Sequence, residues 1–83
     1  MPTRAYVLIE AAVGTAREVG QGVSGLRTPD ARVVQVDIVT GPFDVIALLE
    51  ADDLDLLGKA ITEGVQRVSG VQRTTTCLLL KLS

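Results

Sequence analysis

Apolar residues recur with a period of two in four stretches of the chain and with a period near 3.6 in two others. That alternation predicts the elements. Residues 3–12 read as a strand whose centre, Tyr6-Val7-Leu8-Ile9, is apolar on both faces. Gly14-Thr15 ends it, and Ala16, Val19, Val23 and Leu26 then form one helical stripe running to about Leu26. Thr15 followed by Glu18 reads as a capping box. Gly20, Gly22 and Gly25 each weaken this helix by about 1 kcal/mol relative to Ala, so tertiary packing must hold it. After the turn Thr28-Pro29-Asp30, residues 32–39 alternate Val34, Val36 and Ile38 against Val33, Gln35, Asp37 and Val39, as an edge strand does.

Thr40-Gly41-Pro42-Phe43-Asp44 sits near the midpoint, between this strand and a third, residues 43–51. Gly takes positive φ and Pro holds φ near −65°, so the five residues read as a hairpin. Asp52 and Asp53 supply an N-cap for a second helix, residues 54–68, with the stripe Leu54, Leu57, Ile61, Val65 and Val68. Gly70 ends that helix, and residues 74–82 form the fourth strand. The order β-α-β-β-α-β predicts an α+β chain with the ferredoxin-like plait: one domain, residues 1–83, with a four-stranded antiparallel sheet and both helices on one face.

That arrangement leaves a sheet face uncovered. Strands one, three and four are apolar on both faces, so about eight apolar side chains would be bare, a patch beyond the few hundred Å² typical of monomers. Burial at about 25 cal/mol per Å² favours association. Face-to-face homodimerisation is the simplest expectation.

Composition narrows the chemistry. The chain is 47% apolar but only 2% aromatic, so its core is built from Val, Leu, Ile and Ala. Its net charge is −2 and no basic run occurs, which argues against direct nucleic-acid binding. No apolar stretch approaches membrane-spanning length and no leader pattern opens the chain, so a cytoplasmic protein without a membrane role is expected. Cys77 is the single cysteine and reads as a small buried hydrophobe. Tyr6 reads as a packing residue on strand one. The absence of His excludes His-based acid–base catalysis and His metal ligation. Asp52, Asp53 and Asp55 lack the EF-hand spacing and read as capping and solvated residues. Gly20-x-Gly22-x-x-Gly25 lies within a helical stripe, not between a strand and a helix start, and is discarded as a nucleotide fingerprint. No cofactor is expected.

Two polar features remain. Asp44 follows the turn directly, where it either caps the hairpin's own N–H groups or receives a ligand's ammonium group. Thr74, Thr75 and Thr76 open the fourth strand, either as good strand residues or as hydroxyl donors to a carboxylate or amide.

With Val36-Asp37-Ile38-Val39 before it and Gly70-Val71-Gln72-Arg73-Thr74-Thr75-Thr76 beyond, the Thr40-Gly41-Pro42-Phe43-Asp44 hairpin resembles the effector-binding (RAM) domain of the Lrp/AsnC, or feast/famine, regulators. The resemblance covers nearly the whole chain. It implies sheet-to-sheet dimers that assemble into rings, with a free amino acid or similar small metabolite bound between dimers. Thr40, Gly41, Pro42, Phe43, Asp44, Thr74, Thr75 and Thr76 are the implied ligand-binding residues. Those regulators carry an N-terminal helix-turn-helix, whereas here strand one begins at Thr3. A stand-alone sensory module without direct DNA contact is therefore expected, able to co-assemble with full-length relatives. Taking strands one and three as parallel places the hairpin and the Thr74 segment at opposite ends of a subunit's sheet, so that a site using both would be shared between subunits. Two other readings stand beside this one. The first is a small dimeric plait enzyme of the cofactor-free monooxygenase or isomerase type, and the second is a ligand-free oligomerisation partner.

Overall fold

Four strands pair in the order β2-β3-β1-β4, every neighbouring pair antiparallel, in a computed structural model that describes residues 2–81. In chain order the elements are β1 (Thr3–Ala11), α1 (Ala16–Ser24), β2 (Arg32–Ile38), β3 (Val45–Ala51), α2 (Leu54–Glu63), a 3₁₀ turn (Val65–Arg67) and β4 (Val71–Leu78). This is the βαββαβ plait. No described helix is long and apolar enough to cross a membrane.

The core lies between the sheet and the two helices. Ala5, Val7 and Ile9 of β1 and Val45, Ala47, Leu49 and Ala51 of β3 are buried, as are Val19 and Val23 of α1, Leu57 and Ile61 of α2, and Val65. Strand alternation therefore turns Tyr6, Leu8, Ile46 and Leu48 to the opposite, helix-free face, where Tyr6 lies opposite Leu48 and Leu8 opposite Ile46. The bare apolar set is smaller than the eight side chains expected. The reason is β4, which sets Arg73, Thr75 and Cys77 on that face, opposite Glu10, Leu8 and Tyr6. Cys77 is exposed there, not buried as the sequence suggested.

Several boundaries moved for local reasons. Helix α1 ends at Ser24; the Gly25 N–H donates to the Gln21 carbonyl at 2.9 Å and the Leu26 N–H to the Val23 carbonyl at 3.2 Å. Thr15 makes no side-chain cap, so the capping box with Glu18 does not form. Its hydroxyl instead donates to the Ala12 carbonyl at 2.7 Å. Asp53 does cap α2, accepting from the Leu56 N–H at 2.8 Å. Gly64 stops that helix, and the stripe continues through the 3₁₀ turn, where Val65 is fully buried, while Leu54 at the other end is 55% exposed. Strand β4 starts at Val71, earlier than expected, directly after Gly70 at φ +97°. Its expected end at Leu82 lies outside the described residues.

The β2 alternation is broken by a bulge between Val33 and Gln35. Val33, Val36 and Ile38 lie opposite the buried Leu49, Ala47 and Val45, and Val34 becomes the extra residue, 37% exposed. Past the bulge, Gln35 and Asp37 share the open face with Arg32.

Candidate functional site

β1 and β3 run antiparallel, which corrects the expected parallel arrangement and with it the geometry of the candidate site. The chain leaves β1 at Ala11, starts β3 at Val45 and starts β4 at Val71, all at one end of the sheet. The hairpin and the start of β4 therefore flank the end of the same strand, about two strand spacings or roughly 10 Å apart. No second subunit is needed to bring those two segments to the same end.

Asp44 joins the hairpin to β1. Its main-chain N–H donates to the Ile9 carbonyl at 2.9 Å, and its carbonyl accepts from the Val39 N–H at 2.9 Å. Its Oδ2 accepts from the Ala11 N–H at 2.8 Å. Ala11 lies two residues past the last β1–β3 pair, Ile9 with Val45, where β3 no longer offers a carbonyl. The side chain supplies the missing acceptor. Asp44 thus caps the neighbouring strand and not its own turn, as the simpler sequence reading held. Oδ1 takes no hydrogen bond among the described residues and is not fully buried.

On the other flank of β1, the Ala12 N–H donates to the Gly70 carbonyl at 2.8 Å. The loop between β1 and α1 completes this end, with Gly14 at φ +79° and Val13 fully exposed. Gly41 stands at φ +142°, a conformation that L side chains rarely adopt, in the exposed tip Thr40-Gly41-Pro42. Phe43 is half-buried beside it.

The three threonines do not form one row. Thr75 is on the open face opposite Leu8, whereas Thr74 and Thr76 lie opposite Ile9 and Val7 on the helix side. Thr74 Oγ1 is the acceptor for Gln66 Nε2 at 2.9 Å, and Thr76 lines a groove between β4 and α2. The fold brings Thr40, Gly41, Pro42, Phe43 and Asp44 together, and it separates the hydroxyls of Thr74, Thr75 and Thr76 from them by the width of β1.

One charged side chain beside the end of β2 carried no motif. Arg17, in the first turn of α1, lines a groove with Gly20, Gln21, Ser24, Val36 and Ile38. Ile38 is the last residue of β2 before the hairpin, and Arg17 makes no ion pair among the described residues. The available signal was its place outside the Ala16–Val19–Val23 stripe, on the flank of a glycine-rich helix.

The chain belongs to the Lrp/AsnC ligand binding domain family, whose model matches residues 4–82. Among solved structures it is similar to TTHA0845 from Thermus thermophilus, at 32% identity and a TM-score of 0.84, covering 98% of this chain and 96% of that one. It is also similar to the hypothetical protein PHS023 from Pyrococcus horikoshii, at 30% identity and a TM-score of 0.80, covering 98% and 92%. The transcriptional regulator NMB0573 from Neisseria meningitidis, solved as a complex with L-Met, shares the fold at 18% identity and a TM-score of 0.78, over 96% of this chain and 51% of that one. This chain thus spans about half of that regulator. No match was found among curated protein sequences. The chain is therefore a ligand-binding domain of that family.

Proposed function

We propose that this module binds a free amino acid at the hairpin end of its sheet and that it works as a homo-oligomer. The observation that carries the reading is Asp44, whose Oδ2 is committed to Ala11 while Oδ1 remains open. A carboxylate fixed through one oxygen is preorganised to receive an ammonium group with the other, at little cost in side-chain entropy. Thr40, Gly41, Pro42 and Phe43 supply main-chain groups and an apolar wall beside it. A ligand carboxylate then needs a donor, and Arg17, unpaired among the described residues, is the one cation of α1 and lines a groove with Ile38, the last residue of β2. Thr75 is the hydroxyl of the threonine run that shares the open face and is the one available across an interface. The L-Met complex of the Neisseria regulator supports an amino acid as the ligand class.

Assembly follows from the open face. Tyr6, Leu8, Ile46 and Leu48 form a continuous apolar centre, with Arg4, Glu50 and Arg32 at one end and Glu10 and Arg73 at the other. A dry centre with a charged rim is the anatomy of a protein interface, and a second copy of the same face is the partner proposed. The output proposed is a change in assembly, alone or together with full-length relatives.

A thermal-shift series with the twenty amino acids tests the ligand. At ten times its dissociation constant a ligand stabilises the folded state by about 1.4 kcal/mol, a rise in Tm of roughly 6–11 °C for a domain of this size. No shift with any amino acid at millimolar concentration would remove the ligand from this reading.

A further inference from the structure

Helix α1 and strand β2 leave a groove of about 420 Å³ between them, on the helix-covered side of the sheet. Sites for small ligands run from about 300 to 1,000 Å³. Its two walls differ in chemistry. Arg17, Gln21 and Ser24 stand at i, i+4 and i+7 on α1 and form a polar wall roughly 10 Å long. Val36 and Ile38 form the other wall from β2, opposite the buried Ala47 and Val45. Gly20 lies at the base, where a Cβ would come within 3.1 Å of Ile38 Cγ1, so glycine keeps the floor clear of a side chain.

The polar wall is uncommitted. Arg17 makes no ion pair, and the side chains of Gln21 and Ser24 make no hydrogen bond, among the described residues. No carboxylate lines the groove among those residues. Glu18, next to Arg17 on α1, does not line it. Asp37 of β2 is on the opposite face of the sheet, where its carboxylate accepts from Gln35 at 2.7 Å. On a chain of net charge −2, the groove thus presents a single positive charge. Arg17 is also in the first turn of α1, where the helix dipole favours an anion.

We propose that the groove binds an α-keto or α-hydroxy acid with a branched aliphatic chain, a ligand that carries no ammonium group. A carboxylate at Arg17 can accept two parallel N–H bonds from the guanidinium. Gln21, one helical turn further on, then donates to the oxygen on the adjacent carbon. The aliphatic chain lies on Val36 and Ile38, and Ile38, 50% exposed, gains burial. An inorganic anion would meet the guanidinium but leave the apolar wall wet, and an aliphatic alcohol would leave Arg17 without its counter-charge. The proposal takes from the amino-acid reading only Arg17 as the receiver of a carboxylate, and it needs neither Asp44 nor the hairpin.

Amide shifts in nuclear magnetic resonance, followed while α-ketoisocaproate is titrated into the full chain, test it. Saturable shifts are expected at Gly20, Gln21, Ser24, Val36 and Ile38 at millimolar concentration or below. Isocaproate, which lacks the second oxygen, should bind more weakly, and isohexanol, which lacks the carboxylate, should not bind. Arg17→Gln and Gln21→Glu should each weaken the keto acid about tenfold or more, whereas Arg67→Gln, a charge change on the 3₁₀ turn, should not. All three replaced side chains are exposed, so the fold tolerates the changes. No saturable shift at the groove residues, or an unchanged affinity in Arg17→Gln, would overturn the proposal. Shifts confined to residues 40–44 would do the same, because the acid would then sit at the hairpin. The two readings fail separately. An amino acid that stabilises the chain beside an inert keto acid keeps the hairpin site and sinks the groove, and the reverse result sinks the hairpin site alone.

Discussion

The Oδ2 atom of Asp44 accepts a hydrogen bond from the main-chain N–H of Ala11 at 2.8 Å, across 33 positions of sequence. This bond ties the hairpin to the end of β1 at the point where the β1–β3 ladder runs out, and it gives Asp44 a structural and a binding role that substitutions separate. Asp44→Ala leaves the Ala11 N–H without its partner and should cost about 1–3 kcal/mol of stability, measured by urea unfolding. Asp44→Asn retains an acceptor and should cost less, yet it removes the charge offered to an ammonium group. Amino-acid affinity, read by calorimetry, is expected to fall about tenfold or more in the Asn variant. Equal affinity in Asp44→Asn would confine the residue to its structural role.

Two glycines should respond with opposite sign. Gly70 stands at φ +97°, and a Cβ there would meet Val19 Cγ2 at 2.8 Å and Thr15 Oγ1 at 3.0 Å. Gly70→Ala is expected to destabilise by more than about 1 kcal/mol, from backbone strain and overpacking together. Gly58, inside α2, has nothing within 4 Å of the same position. Gly58→Ala should stabilise the subunit by up to about 1 kcal/mol. Thermal unfolding of the two variants beside the wild type checks both.

Glu50 accepts from Arg32 at 2.8 Å and from Arg4 at 2.7 Å. The Arg32 hydrogen bond first, and the Arg4 bond second, hold its carboxyl below the ordinary glutamate value. The folded chain therefore binds this proton less readily than the unfolded chain. The resulting stability is fully present above the unfolded pKa and is lost as pH falls through the folded one. Urea unfolding of wild type and Glu50→Gln should differ at neutral pH and converge as pH falls below the ordinary glutamate value and through the lowered folded one. A gap that persists in acid would mean that packing, not ionisation, separates them.

Leu8 lies opposite Ile46 at the centre of the open face. Leu8→Arg should weaken sheet-to-sheet association about 30-fold or more, the effect of losing a central contact of roughly 2 kcal/mol. The subunit's own core, on the opposite face, should be untouched, so circular dichroism should not change. Sedimentation over a concentration series measures the shift.

Local signals in the sequence were enough for the element order, the plait and the family, since hydrophobic period, glycine breaks and the Thr40-Gly41-Pro42-Phe43-Asp44 turn act over a few residues. Stripes such as Leu57, Ile61 and Val65 repeat every 3.6 residues whatever they pack against, and all three are buried. What the tertiary structure decided was relative direction and register. Whether β1 and β3 run parallel is a non-local property, and the antiparallel answer moved the hairpin and the Thr74 segment to the same end of the sheet. The bulge at Val34 changed which β2 residues share a face, because one inserted residue inverts a period of two. Pairing with β1 sent Thr75 one way and Thr74 and Thr76 the other. Asp44 stood out in the sequence as a carboxylate beside a turn. Only the fold supplied Ala11, whose N–H lacks a strand partner and takes one of the two carboxylate oxygens.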